Sequence, residues 1–352
     1  MEQLEKRNQQ LIDIVIEKVQ QDYAEDIDLI GVYGSFITGD YHERSDLDLL
    51  VVLNNDKGYG FSTCFILHEI GYDLYGSTWS KLEDIATFDH TFTAELIDAE
   101  IVYYRNKESM ERFQQLQQQA LDIINSPMTP DMVQKAKKHL DDGILAYGKM
   151  MLAEDIGAVR MALGDVVYYS FNVISLLNHS YYKYGVKRQL EEAVAMAYVP
   201  ENLRTQIDEF LQAESVKKIK DNAGKLIKSV KKLYEEIAAE TIPKLEPTKE
   251  KLRGTYEEIW SNWYNKVLYA AEQKDTLLAF SAGVSCQDFY DEMHNNCGTV
   301  RINLMQHFEQ CDLGSFAAAF ENAMNQYKME YDKVGLKVRK YDSVAALRAG
   351  YL

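Results

Sequence analysis

The stretch Gly34-Ser35-Phe36-Ile37-Thr38-Gly39, followed by Ser45-Asp46-Leu47-Asp48-Leu49-Leu50-Val51-Val52, decides how the N-terminal third of this chain reads. An apolar run, Leu29-Ile30-Gly31-Val32-Tyr33, precedes it and predicts a short strand that ends at Gly34. A glycine there lets the backbone turn tightly and approach a ligand. Ser35 then opens a short helix, whose first N–H groups and hydroxyl suit a phosphate, and Gly39 releases the chain from that turn. Asp46 and Asp48 stand two apart at the start of a second predicted strand, Leu47 to Leu53. Side chains alternate along a strand, so both carboxylates share one face while Leu47, Leu49 and Val51 take the other. Two like charges on one face of an otherwise apolar strand repel unless a cation lies between them, and hard oxygen ligands suit Mg²⁺ carrying substrate phosphates.

Working outward, residues 2–24 predict an amphipathic helix with Leu4, Leu11, Ile14, Val15 and Val19 on one face. Asn54-Asn55-Asp56-Lys57-Gly58 is a turn signal, residues 62–70 read as a helix, 71–77 as a third strand and 99–104 as a fourth. Asp73 lies in the third strand; if that strand neighbours the Asp46–Asp48 strand, three carboxylates converge, enough for a two-metal site. Strands mixed with helices indicate a small α/β (α+β) unit. After Arg105 the pattern becomes helical, with helices expected over 108–124, 130–152, 155–183, 187–197, 201–212 and 215–240. Thr241-Ile242-Pro243-Lys244-Leu245-Glu246-Pro247-Thr248 reads as a linker, and 249–352 is again mainly helical with breaks near Gly283, Gly298, Gly314 and Gly335. The expected domains are 1–107 (catalytic), 108–243 (helical, substrate- and nucleotide-binding) and 244–352 (C-terminal helical).

Composition narrows the functional classes. The net charge of −17 opposes general binding to nucleic acid, which needs a basic surface, but leaves room for one NTP whose charge is met by metal. The four cysteines form no ligand pair and read as reduced thiols of a cytoplasmic protein. No apolar run approaches the length of a membrane span. The 5 prolines, few for 352 residues, favour long helices.

The pattern Gly34-Ser35 … Asp46-x-Asp48 with the later strand residue Asp73 resembles the signature of the polymerase-β-type nucleotidyltransferase superfamily, and within it is most similar to the bacterial aminoglycoside (kanamycin-like) nucleotidyltransferases and their relatives. The motifs carrying the resemblance lie in residues 25–105. It implies a small mixed-sheet catalytic domain followed by helical domains. It also implies Ser35 on the triphosphate, Asp46 and Asp48 as metal ligands, and Asp73 as metal ligand or base. The implied cofactor is Mg²⁺ (or Mn²⁺), with ATP or another NTP as donor and a hydroxyl compound as acceptor. Gly34, Thr38, Gly39 and Ser45 complete the nucleotide loop. Asn178-His179-Ser180-Tyr181-Tyr182-Lys183-Tyr184-Gly185-Val186-Lys187-Arg188 resembles the helical segment that faces the nucleotide in such relatives, with Lys187 and Arg188 as phosphate contacts.

Several features have plainer readings. Tyr181 and Tyr182 could stack on a base, although helical tyrosines more often pack half-buried. His42 and Arg44 either contact phosphate or lie on the loop surface. Glu154, Asp155 and Asp165 are conceivable bases from the helical part, without a supporting motif. The lysines from 217 to 232 form the solvated face of an amphipathic helix, and Trp260-Ser261-Asn262-Trp263-Tyr264 is a packing cluster. Arg301 and His307, six apart, vaguely resemble the Arg…His arrangement of helical ribonuclease domains that partner small nucleotidyltransferases, a pair that chance readily supplies. Three functions are expected in order: NMP transfer to a small hydroxyl acceptor such as an aminoglycoside, AMP transfer to a protein in a toxin–antitoxin-type pair, and nucleotide binding without turnover. A homodimer is compatible with each.

Overall fold

The N-terminal amphipathic repeat folds as α1 (Glu2–Asp22) in a computed structural model that describes residues 2–352, with side chains from Leu4 onward. Leu11, Ile12, Val15 and Val19 are its buried stripe, whereas Ile14 is 60% exposed, so Ile12 takes the core position expected of Ile14. The stripe packs on one face of a mixed four-stranded sheet ordered β5 (Gly76–Ser77), β2 (Asp48–Leu53), β1 (Ile27–Tyr33), β6 (Glu100–Tyr104). β1 pairs antiparallel with β2 and β6, and β2 pairs parallel with β5. Alternation along β2 is the organising fact. Leu49, Val51 and Leu53 join the core under α1, while Leu50 and Val52 face a second core. Asp46 and Asp48 have the parity of that second face and cap its end.

Between β1 and β2 lies α2 (Ser35–Thr38). After β2 the chain departs from expectation. Residues 62–70 form no helix: β3 (Thr63–Leu67) and β4 (Ile70–Leu74) make a separate antiparallel hairpin. Its two-residue turn is His68 and Glu69, both at positive φ (51° and 61°). Such a turn matches the twist of the flanking strands but normally announces itself with Asn or Gly. The expected strand over 71–77 is broken in two, because at Gly76 the chain leaves β3 for β2. A Cβ there would lie 2.8 Å from Leu53 Cδ1.

The second face of the sheet is covered by α3 (Trp79–Ala86), α4 (Ala94–Ile97) and α5 (Lys107–Ile124) through Leu82, Ile85, Leu96 and Phe113. Asp28 of β1 ties these pieces together from a buried position. It accepts hydrogen bonds from Trp79 Nε1 (2.7 Å), Arg105 Nε (2.8 Å) and Ser109 Oγ (2.8 Å).

The same core continues into α6 (Pro130–Leu152), α7 (Ile156–Leu177), α8 (Gln189–Ala195), α9 (Leu203–Leu211) and α10 (Val216–Thr241). Thr129, Asp155 and Ser215 cap α6, α7 and α10 by accepting from the N–H three residues on. The helix expected over 155–183 stops at Leu177. Asn178 Nδ2 donates to Ile174 O and Tyr198 O, and His179 turns at φ 46°, so 178–184 becomes a loop. A short 3₁₀ turn, Gly185–Lys187, precedes α8. Contacts divide the chain into two units, Met1–Ile242 and Pro243–Leu352.

The second unit contains α11 (Lys249–Leu252), α12 (Thr255–Ile259), a π-helical turn (Trp260–Tyr264), α13 (Asn265–Gln273), α14 (Thr276–Cys297), α15 (Leu313–Lys333) and α16 (Val344–Tyr351). Its core is aromatic: Tyr290, Phe316, Phe320, Tyr327 and Tyr331 are buried together. Gly283 does not break a helix, contrary to expectation. It lies inside α14, where a Cβ would stand 2.7 Å from the Phe316 ring, so the glycine serves close packing. Gly298 does end α14 in a left-handed cap. Among the described residues all four cysteines are free thiols, and no helix is long and apolar enough to cross a membrane.

Candidate active site

Gly34 is where the local chain and the acidic pair meet. Its φ of 72° is left-handed, and a Cβ at this position would collide with the Asp48 carboxylate, so only glycine lets β1 end against Asp48. Register places Tyr33 opposite Asp48. The Ser35 N–H donates to Asp48, so one of the N–H groups expected for phosphate already serves the carboxylate. The Ser35 hydroxyl makes no hydrogen bond to protein among the described residues and lines a cavity. Thr38 Oγ donates back to Ser35 O (3.3 Å), and Gly39 closes α2 at φ 74°.

Asp48 carries an electrostatic burden. Burial, then the neighbouring Asp46 charge, pushes its carboxyl up to about 6, with Asp73 adding to the rise. The Ser35 N–H and Lys187 act against it without cancelling it. Burial, then Glu95 and Asp48, likewise drives the Tyr33 phenol upward, so it stays protonated. Glu95 is itself buried beside the site, accepting from Ser77 Oγ (2.8 Å) and paired with Lys81 (2.6 Å).

The cavity measures about 330 Å³. One wall is Tyr33, Gly34, Ser35 and Thr38 with Asp46 and Asp48; the opposite wall is the loop from Tyr182 to Lys187. That loop is pinned from several sides. Tyr181 Oη donates to Asp98 (2.9 Å), Tyr182 Oη donates to Phe171 O (2.8 Å), and Glu192 accepts from the N–H groups of Lys183 (2.9 Å) and Tyr184 (3.1 Å). Arg188 then clamps the walls together. Its Nε and Nη2 donate to the two oxygens of Asp40 at 2.9 and 2.6 Å, which holds the Asp40 carboxyl below the usual carboxylate range.

The expected residues therefore separate. Gly34, Ser35, Thr38, Asp46, Asp48 and Lys187 line one cavity. Asp73 does not: β4 is not a neighbour of β2 in the four-stranded sheet, and Asp73 borders a second cavity of about 440 Å³ on the hairpin, which also touches Asp46. Among the described residues no three carboxylate, histidine or cysteine side chains form a ready metal cluster. Ser45 is buried within its loop, accepting from the His42 N–H (3.0 Å). Arg188 is engaged by Asp40. His42 Nδ1 accepts from the Arg44 N–H (3.1 Å), so that pair shapes the loop. Asp155 caps α7, and Glu154 and Asp165 are exposed away from the cavity lining. Tyr184 and Gly185, within the segment expected to face the nucleotide, also line this cavity, whereas Asp40 has no local pattern that announces it, because its place depends on the return of that loop.

A family model described as "Nucleotidyltransferase domain" matches residues 12–139, a span that contains the whole sheet, α2 and the three aspartates. The N-terminal part of the chain is thus a nucleotidyltransferase domain on a small mixed sheet, followed by a mostly helical region. A solved structure of a nucleotidyltransferase-like protein from Exiguobacterium sibiricum is similar at 12% identity and a TM-score of 0.38, covering 66% of this chain and 81% of that one. Comparison with curated proteins gives no match.

Proposed function

We propose that this protein transfers a nucleoside monophosphate from an NTP to a hydroxyl acceptor and releases pyrophosphate. The observation that carries this reading is the Asp46–Asp48 pair facing a cavity that is also lined by Ser35 on the same wall and by Lys187 on the opposite one. The residues fit a divalent cation. The Asp48 charge is disfavoured by burial and then by the charge of Asp46, with one N–H and one lysine to relieve it. Asp46 and Asp48 would hold the ion, with Asp73 approaching from the hairpin. Bound there, the metal supplies positive charge to the triphosphate and to the entering oxygen.

The chain's own groups do the rest. Ser35 and Lys187 orient the phosphates, and the Arg188–Asp40 clamp fixes the separation of the walls. Tyr33 and Tyr184 border the space for the nucleoside. The acceptor oxygen attacks the α-phosphorus, the bond from that phosphorus to the bridging oxygen breaks, and pyrophosphate departs. The hydroxyl proton leaves to a carboxylate at the hairpin side, where Asp73 is exposed, or to solvent. Rate enhancement comes from positioning and charge neutralisation.

For the acceptor, the hairpin cavity is the supporting feature. It is lined by Asp46, Asp73, Phe65, Tyr72 and Tyr75, with no cation among its lining residues. That lining suits a cationic hydroxyl compound such as an aminoglycoside. Pyrophosphate release with Mg²⁺, each NTP and a panel of cationic polyols tests the reading. Absence of release with every acceptor, or release undiminished in Asp46→Asn/Asp48→Asn, would overturn it. A protein acceptor is favoured by a different observation. β3 is paired on one side alone, and Thr63 to Ile66 are exposed, an edge that an extended segment could join. Adenylyl mass added to a lysate protein would select that reading.

A further inference from the structure

The second unit holds a cavity of about 530 Å³ that the transferase reading does not use. Its walls are Tyr256, Trp260 and Tyr341, with Lys328, Arg339 and Lys340 around them and Asn265 alongside. Helix geometry is the first clue. At 3.6 residues per turn, positions five apart face different directions, so Trp260 and Asn265 would not share a wall in a regular helix. The π turn at Trp260–Tyr264 closes five residues on and brings both to one cavity. Such turns are rare and collect at functional sites.

Charge is the second clue. In a chain of net charge −17, three cations line one space with a single carboxylate, Glu257. Glu257 is already spoken for. It accepts from the Arg339 N–H (2.7 Å) and Tyr331 Oη (3.0 Å) and lies 3.6 Å from Arg339 Nε. Those bonds anchor residues 336–341 as a strap over the core, with Leu336 and Val338 packed inward. Lys328 and Lys340 enter no ion pair among the described residues, and Lys340 Nζ sits 5.4 Å from the Trp260 ring. The Asn265 amide makes no side-chain hydrogen bond among the described residues, leaving a donor and an acceptor side by side.

We propose that this cavity binds an adenine nucleotide. The base stacks among Trp260, Tyr256 and Tyr341, and the Asn265 amide pairs with the donor–acceptor edge that adenine presents. Lys328, Arg339 and Lys340 receive the phosphate. This site needs no metal and stands independently of the transferase reading.

The test is isothermal calorimetry of the full chain with AMP in EDTA, supported by tryptophan fluorescence. Lys340→Glu and Asn265→Ala are exposed positions, so an unchanged melting temperature verifies their folding. The expected result is one AMP per chain, with affinity lowered about tenfold or more in each variant. Adenosine and inorganic phosphate alone should each bind at least about tenfold more weakly. Asp46→Asn/Asp48→Asn should bind AMP as the wild type does. No AMP binding up to about 5 mM would overturn the proposal. So would loss of binding in the double aspartate variant alone, affinity unchanged in both cavity variants, or equal affinity for GMP.

Discussion

Asp48→Asn should make the metal-free protein more stable while removing the nucleotidyl transfer proposed above. The carboxyl has an ordinary value of 3.8 and is pushed up to about 6 in the fold by burial and by Asp46. Between those values the folded chain holds the proton more tightly than the unfolded chain, so stability falls as pH rises through that window. At 1.36 kcal/mol per pH unit, the ionised group costs the fold about 3 kcal/mol at pH 8, and about 1 kcal/mol at pH 4.5. Asparagine keeps an oxygen for the Ser35 N–H and removes the charge. In EDTA at pH 8 the variant should therefore melt roughly 6–12 °C above wild type in the transition of the unit Met1–Ile242. The advantage should shrink to about a third at pH 4.5. Millimolar Mg²⁺ should raise the wild-type transition and leave the variant's unmoved, because only the wild type gains a ligand bound to its native state. Differential scanning calorimetry at both pH values measures all of this. A variant no more stable than wild type at pH 8, or an advantage of equal size at pH 4.5, would refute the reasoning that burial and the Asp46 charge together make the ionised Asp48 costly to the fold.

Three further outcomes follow from the geometry. Gly34→Ala places a methyl group against the Asp48 carboxylate at φ 72°, and should destabilise by about 2 kcal/mol or more in urea unfolding. Arg188→Ala and Asp40→Asn should leave the melting temperature nearly unchanged, since Arg188 is exposed, yet raise KM for NTP by freeing the loop wall. The exchanged pair Asp40→Arg/Arg188→Asp should recover part of the affinity, and steady-state kinetics on all three tests the clamp. Replacing the hairpin turn by His68→Asn/Glu69→Gly should stabilise by about 1 kcal/mol, read by thermal melting, because both positions hold left-handed backbone.

Much of the acidic site was legible because it is local. Strand parity puts Asp46 and Asp48 on one face whatever surrounds them, and a glycine at a strand end marks the turn that meets them. The same locality explains the errors. His68-Glu69 carries no turn signature, so β3 read as helix. Nothing around Gly76 says that the chain will change partners there, so the sequence leaves open whether the strand of Asp73 neighbours β2; it lies on a separate hairpin. Asp40 was passed over because its importance comes from Arg188, 148 residues away.

By itself, then, the sequence determined the strand–turn–helix carrying Gly34 and Ser35, the acidic face of β2 and the change to helices after the sheet. Each depends on backbone periodicity over a few residues. Tertiary structure alone decided which charges are shared, which cations remain unpaired and where the second wall of the cavity stands. Those depend on burial and on contacts between distant segments. Asp48 becomes a strained carboxyl only once the fold removes its water and seats Asp46 beside it.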